Sequence, residues 1–261
     1  MESSYLLYIF FGAVVGFAVG VTGVGGGSLM TPLLLLIGFP PHIAIGTDLL
    51  YASITKFGGA LSHHYQKNID WALVRRMAIG SVPAAIFTAL ILKFFFQNSE
   101  DYKHILTFVL GIMLVLTSAT IFFRQRLQKK RASDSSRFTI AHAHVGRVTT
   151  GMGVVIGVLV TLSSVGAGAI GASVLMTLYP YLSSYRIVGI DIAHAVPLTL
   201  IAGMGHLWLG NVDMGLLVGL LVGSLPAIYL GTHIGRQLPH RILQRLLASI
   251  LMGLGLKFVF F

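Results

Sequence analysis

Two glycine-rich runs carry the residue types best suited to holding a small anion: Thr22-Gly23-Val24-Gly25-Gly26-Gly27-Ser28 and Ser163-Ser164-Val165-Gly166-Ala167-Gly168-Ala169. Each precedes a short apolar run, about Ser28 to Ile37 and about Ala169 to Leu182. Crossing a bilayer takes about 20 apolar residues as a helix, so the first of these cannot span alone. Glycine at this density breaks a helix and lets a ligand approach the backbone. The helix that follows begins with free N–H groups and a partial positive charge, and two such ends facing each other at mid-membrane form an anion site. Thr22, Ser28, Thr31, Ser163 and Ser164 can add hydroxyl donors. The alternative is that the glycines only permit tight helix packing. A nucleotide loop is excluded, because neither run ends in Gly-Lys-Ser/Thr.

Asp48 and Asp191 each sit near the start of a long apolar run. An ionised Asp at the bilayer centre costs about 2.5–3.5 kcal/mol, so such residues usually face a bundle interior. They can couple protons, hold the broken helices, or cap helix ends near the interface. A carboxylate repels an anion, which argues against a direct ligand role. Lys56 is the basic residue well inside a predicted span. It can attract an anion or, on balance, snorkel to the cytoplasmic interface. His63, His64, His194 and His206 are possible proton carriers. Pro83 and Pro226, each after Gly-Ser, are expected to kink their helices and serve gating. The spacing of His, Asp and Glu predicts neither a metal site nor a cofactor, and the chain has no cysteine for a thiolate ligand or nucleophile.

The elements that must position these residues are membrane helices. Of 261 residues, 55% are hydrophobic and 10% charged, against roughly 25% charged in a soluble domain. Mean hydropathy is +0.85. The net charge of +10 does not indicate nucleic acid: seven of eighteen basic residues lie in or beside one polar stretch, about Arg124 to Arg147, as a cytoplasmic loop should. No basic n-region and cleavage site open the chain, so no cleaved leader is expected. Residues 1–123 divide into a first run (about Tyr5 to Thr22), the short one, and three full runs: about Ile43–His63, Trp71–Phe96 and Tyr102–Phe123. Residues 124–147 form the linker. Residues 148–261 repeat the pattern with runs of about Val148–Ser163, Ala169–Leu182, Ile187–Leu209, Met214–His233 and Arg241–Phe260.

The repeat can be read residue by residue. At an offset of 141, Gly12, Gly16, Gly25 and Gly27 fall on Gly153, Gly157, Gly166 and Gly168. At an offset of 143, Gly46, Asp48, His63, Asn68 and Asp70 fall on Gly189, Asp191, His206, Asn211 and Asp213, and Gly80-Ser81-Val82-Pro83 on Gly223-Ser224-Leu225-Pro226. Basic residues orient the halves. Lys67, Arg75 and Arg76 mark one loop as cytoplasmic, whereas its counterpart around Asn211 carries none. The expected fold is an all-α integral membrane protein of two inverted repeats, each a broken, short helix pair plus three full spans. Both termini should be periplasmic and the 124–147 linker cytoplasmic.

The run Gly16, Gly20, Gly23, Gly25-Gly26-Gly27, Pro32, then Ala44-Ile45-Gly46-Thr47-Asp48, Asn68-Ile69-Asp70 and Gly80-Ser81-x-Pro83, resembles the sulfite exporter TauE/SafE family. The resemblance covers nearly the whole chain. It implies export of sulfite or organosulfur anions such as sulfoacetate across the bacterial inner membrane. The second half departs from the pattern: Gly26, Ser28 and Pro32 become Ala167, Ala169 and Ser173.

The leading expectation is therefore a secondary transporter working by alternating access, with a small anion and the lipid bilayer as partners. A homo-oligomer is compatible with the sequence. A passive anion channel, or an importer of thiosulfate or sulfate, stays open. An embedded enzyme is disfavoured, because no nucleophile–base pair stands out.

Overall fold

A computed structural model describes residues 2–22, 27–96, 98–133, 142–235 and 240–260. Those residues form ten helices: α1 (Glu2–Thr22), α2 (Gly27–Leu36), α3 (Pro41–Tyr65), α4 (Trp71–Phe95), α5 (Ser99–Ser133), α6 (His142–Ser163), α7 (Ala169–Leu178), α8 (Ser184–Trp208), α9 (Met214–Gly235) and α10 (His240–Phe260). Five segments, within α4, α5, α6, α8 and α9, are long and apolar enough to cross a membrane. α3 also has 25 residues, but Lys56 and its terminal histidines lower its hydropathy. α2 and α7 have ten residues each and are the short members. The expected linker is partly helical, since α5 continues to Ser133 and α6 starts at His142.

Local signals explain the boundaries. Pro41 opens α3, where a missing N–H costs nothing. Asp70 caps α4 by accepting the N–H groups of Ala72 and Leu73, and Asp213 caps α9 through Leu216 N–H. Capping thus belongs to this matched pair, not to Asp48 and Asp191. α3 ends in a turn where Asn68 N–H donates to His63 O and Lys67 N–H to His64 O. α8 ends the same way, Asn211 N–H donating to His206 O and Gly210 N–H to Leu207 O. Such a turn needs a left-handed residue. Gly210 supplies it at φ 78°, and Lys67 takes it at φ 55° despite its side chain.

Packing follows the repeat. α1 lies along α9 with Gly12, Gly16 and Gly20 against the backbone of Leu220, Ser224 and Ile228. α6 lies along α4 with Gly153 and Gly157 against Met77 and Ser81. Small residues four apart let these backbones approach closely. At the centre α3 and α8 cross in opposite directions. Gly46, early in α3, meets Asn211 beyond the end of α8, and Gly189, early in α8, meets Asn68 beyond the end of α3. α5 and α10 are likewise antiparallel: Ser118 bonds Ala248 O at 2.6 Å, while Gly111 packs on Gly255. Large side chains such as Phe87, Phe94, Val218 and Tyr229 are exposed around the rim, as lipid-facing positions require.

Candidate functional site

Asp48 lies one turn into the buried part of α3 and is fully buried. Its Oδ2 accepts three hydrogen bonds. Thr31 of α2 gives its N–H at 3.3 Å and its hydroxyl. Ser164, in the break between α6 and α7, gives its hydroxyl at 3.0 Å. Asp48 Oδ1 is buried with no hydrogen-bond partner. One carboxylate oxygen thus ties the short helix of the first half to the glycine break of the second. Charge-assisted bonds of this kind are about twice as strong as neutral ones.

The second break is strained. Ser164 stands at φ 58°, Gly166 at φ 111° and Gly168 at φ 153°. A left-handed serine costs on the order of 1 kcal/mol and persists where surroundings hold it. Here the hydroxyl bond to Asp48 does so. Ser163 is also buried, but its hydroxyl serves local backbone, donating to Leu159 O at 2.6 Å and accepting from Val165 N–H at 3.2 Å. α7 then begins at Ala169 with no side-chain cap.

Lys56 does not snorkel. It is 8% exposed, and its Nζ donates to the carbonyl of Ala167 in the second break at 2.9 Å. Eight residues beyond Asp48, it lies beside the second break, where the Ala167 carbonyl accepts its ammonium. Lys56 and Asp191 both line a cavity of about 220 Å³. Gly168, Ala169 and Thr55 share its wall. Asp191 is 3% exposed and packs against Gly171 of α7, where a Cβ would strike its Oδ1. Each matched Asp therefore contacts the short helix of its own half.

Other sequence candidates fall around this core. His194 is buried, with Nε2 at 2.7 Å from Ser81 Oγ and Nδ1 without a partner. That pair links α8 to α4. Pro83 lies two residues past Ser81 inside α4, and Pro226 two past Ser224 inside α9. His206 donates from Nε2 to Thr161 O at 2.9 Å, and Asn211 bonds both His206 Nδ1 (3.3 Å) and Tyr102 OH (2.8 Å). Gly23, Gly25 and Gly26 lie outside the described residues; Thr22 ends α1, and Gly27 and Ser28 open α2. The sequence does not single out Thr55, and it offers Ser81 and Ala167 only as members of longer motifs. Ser81 was legible as part of the repeated Gly-Ser-x-Pro, whereas an alanine contributing only its carbonyl leaves no sequence signal. Among the described residues, no cluster of three or more His, Asp or Glu is placed to hold a metal ion.

The profile of the sulfite exporter TauE/SafE family matches residues 8–258. The chain belongs to that family. It is 41% identical over 206 residues to the probable membrane transporter protein YjnA of Bacillus subtilis, covering 78% of this chain and 80% of that one. It is 29% identical to YdhB of the same organism, with the same coverage. A probable membrane transporter protein of Methanocaldococcus jannaschii, MJ0441, is 27% identical over 82% of this chain and 77% of its own length. No solved structure matches. Family and relatives alike are transporters by name, and the apolar helices are those of a membrane protein.

Proposed function

We propose that this chain is a secondary transporter of small sulfur-containing anions such as sulfite or sulfoacetate, exporting them across the bacterial inner membrane by alternating access and coupled to protons. The observation that carries the reading is the Asp48 clamp, in which one buried carboxylate oxygen accepts from Thr31 and Ser164 across the two halves. A proton arriving at the bare Oδ1 removes the charge. The bonds at Oδ2 then weaken about twofold, and α2 and the second break are free to part.

Inverted topology is supported by the helix directions. α3 and α8 stand at equivalent positions of the repeat, and their contacts run antiparallel. The equivalent pair α5 and α10 does the same. Two like units lying upside down to each other can exchange conformations and so face either side in turn. On the basic-residue pattern, the termini are periplasmic and the 124–147 segment is cytoplasmic.

The test is uptake of labelled sulfite and sulfoacetate into liposomes holding the purified chain, with and without a pH gradient. Saturable uptake that responds to the gradient, and loses that response in Asp48→Asn, supports the proposal. Flux no greater than in empty liposomes removes the sulfur assignment.

A further inference from the structure

Around the second break the helical ladder passes over one carbonyl. Gly171 N–H donates to Gly166 O at 3.3 Å and Ala172 N–H to Gly168 O at 3.1 Å. The carbonyl between them, that of Ala167, accepts the ammonium of Lys56 at 2.9 Å. Main-chain carbonyls freed at a helix break are the groups with which membrane transporters coordinate small cations. A carboxylate completes such a set, and here it is Asp191, which lines the same cavity as Lys56 and Ala167. Both buried carboxylates act on the charge of Lys56, Asp191 ahead of Asp48. Asp48 has donors of its own in Thr31 and Ser164. Lys56 is 8% exposed and Asp191 3%, and charges buried this far need opposite ones. The repeat places Thr199 opposite Lys56, and its hydroxyl donates to Ala195 O within its own helix. The built-in cation therefore has no equivalent in the other half.

We propose that the Lys56 ammonium is a tethered cation filling a small monovalent-cation site made by the Ala167 carbonyl and the Asp191 carboxylate, so that the chain itself carries the charge a free ion would otherwise supply there. The proposal does not depend on which solute is transported. Lys56→Ala joins the space of the lost side chain to a cavity of about 220 Å³, which is room for a free cation. Removing one member of a buried charge pair leaves the other uncompensated and destabilises strongly, whereas replacing both can be neutral. A free cation that binds the folded chain alone restores stability as its concentration rises.

Thermal unfolding of the full chain in detergent reads the site. The probe is methylammonium chloride, which ends in the same ammonium. The control at equal ionic strength is choline chloride, whose quaternary nitrogen has no N–H to give Ala167. Lys56→Ala should unfold at a lower temperature than the natural chain. It should regain about 3 °C or more once methylammonium stands about tenfold above its dissociation constant, with no such gain in choline. The natural chain, its site already filled, should show no difference between the two salts. Lys56→Ala combined with Asp191→Asn should unfold close to the natural chain and ignore methylammonium. Where Lys56→Ala alone does not fold, the double variant decides: a folded double variant supports the proposal, and an unfolded one overturns it. The proposal is also overturned if Lys56→Ala unfolds at the natural temperature, responds to methylammonium no more than to choline, or keeps its methylammonium response when Asp191→Asn is added. The liposome uptake described above bears on the transporter reading alone.

Discussion

Ser53 of α3 donates its hydroxyl to the carbonyl of Val196 in α8 at 3.3 Å, and these two residues are 143 positions apart. That separation is the repeat offset itself, so equivalent points of the two halves touch each other. Under the inverted-repeat reading proposed above, such a pair lies close to the local two-fold axis. The contacts flanking it agree, Gly59 with Ile192 on one side and Leu50 with Gly203 on the other.

An inverted arrangement puts the α3–α4 turn and the α8–α9 turn on opposite sides of the membrane. The chain has no cysteine, so single cysteines report cleanly. Gln66→Cys and Met214→Cys, both at exposed positions, should react with an impermeant maleimide from opposite faces. Labelling of both from the same face would exclude inversion.

The α3–α8 crossing should tolerate added bulk unequally. A Cβ at Gly46 would strike the backbone carbonyl of Asn211, while one at Gly189 would sit 3.0 Å from Asn68 O and His63 Nδ1. A carbonyl fixed by a helix-ending turn yields little. Gly46→Ala should therefore destabilise by about 1–3 kcal/mol, the usual range for overpacking, and Gly189→Ala by less. Thermal unfolding in detergent gives the order.

At the end of α3, Lys67 occupies the left-handed position that Gly210 fills after α8. Lys67→Gly should raise stability by up to about 1 kcal/mol by relieving that backbone, less the entropy glycine adds to the unfolded chain. A fall in unfolding temperature would mean that the lysine side chain holds the turn.

Ser164 combines a left-handed backbone with the hydroxyl that reaches Asp48. Ser164→Ala loses the bond and keeps the strain; Ser164→Gly loses the bond and relieves it. The glycine variant should be the more stable by about 1 kcal/mol. Both should weaken the response of transport to a pH gradient, since each removes one of the Oδ2 donors. An unchanged response would detach Ser164 from coupling.

Ser81→Ala should leave His194 with neither ring nitrogen bonded, because Nδ1 already lacks a partner. Stranding a buried polar group costs about 1–3 kcal/mol. Ser81→Thr, which keeps the hydroxyl, should recover part of it. Unfolding temperatures of the two variants compare them directly.

The sequence alone determined the helical membrane class, the duplication and the two breaks. These depend on quantities carried along the chain: apolar run length against bilayer thickness, matched polar residues at one offset, and glycine before runs too short to span. It also marked Asp48 and Asp191 as costly wherever they were buried. What it could not determine was which groups meet across the halves. Lys56 looked free to snorkel because its partner is a main-chain carbonyl, Ala167 O, brought near only when the second break folds against α3. The three donors on Asp48 come from residues 17 and 116 positions away, and no local pattern encodes that meeting. Nor did the repeat reveal that Thr31 of α2 and Ser164 of the second break meet on Asp48, while Lys56 reaches Ala167 of the same break. That convergence is set by tertiary packing alone.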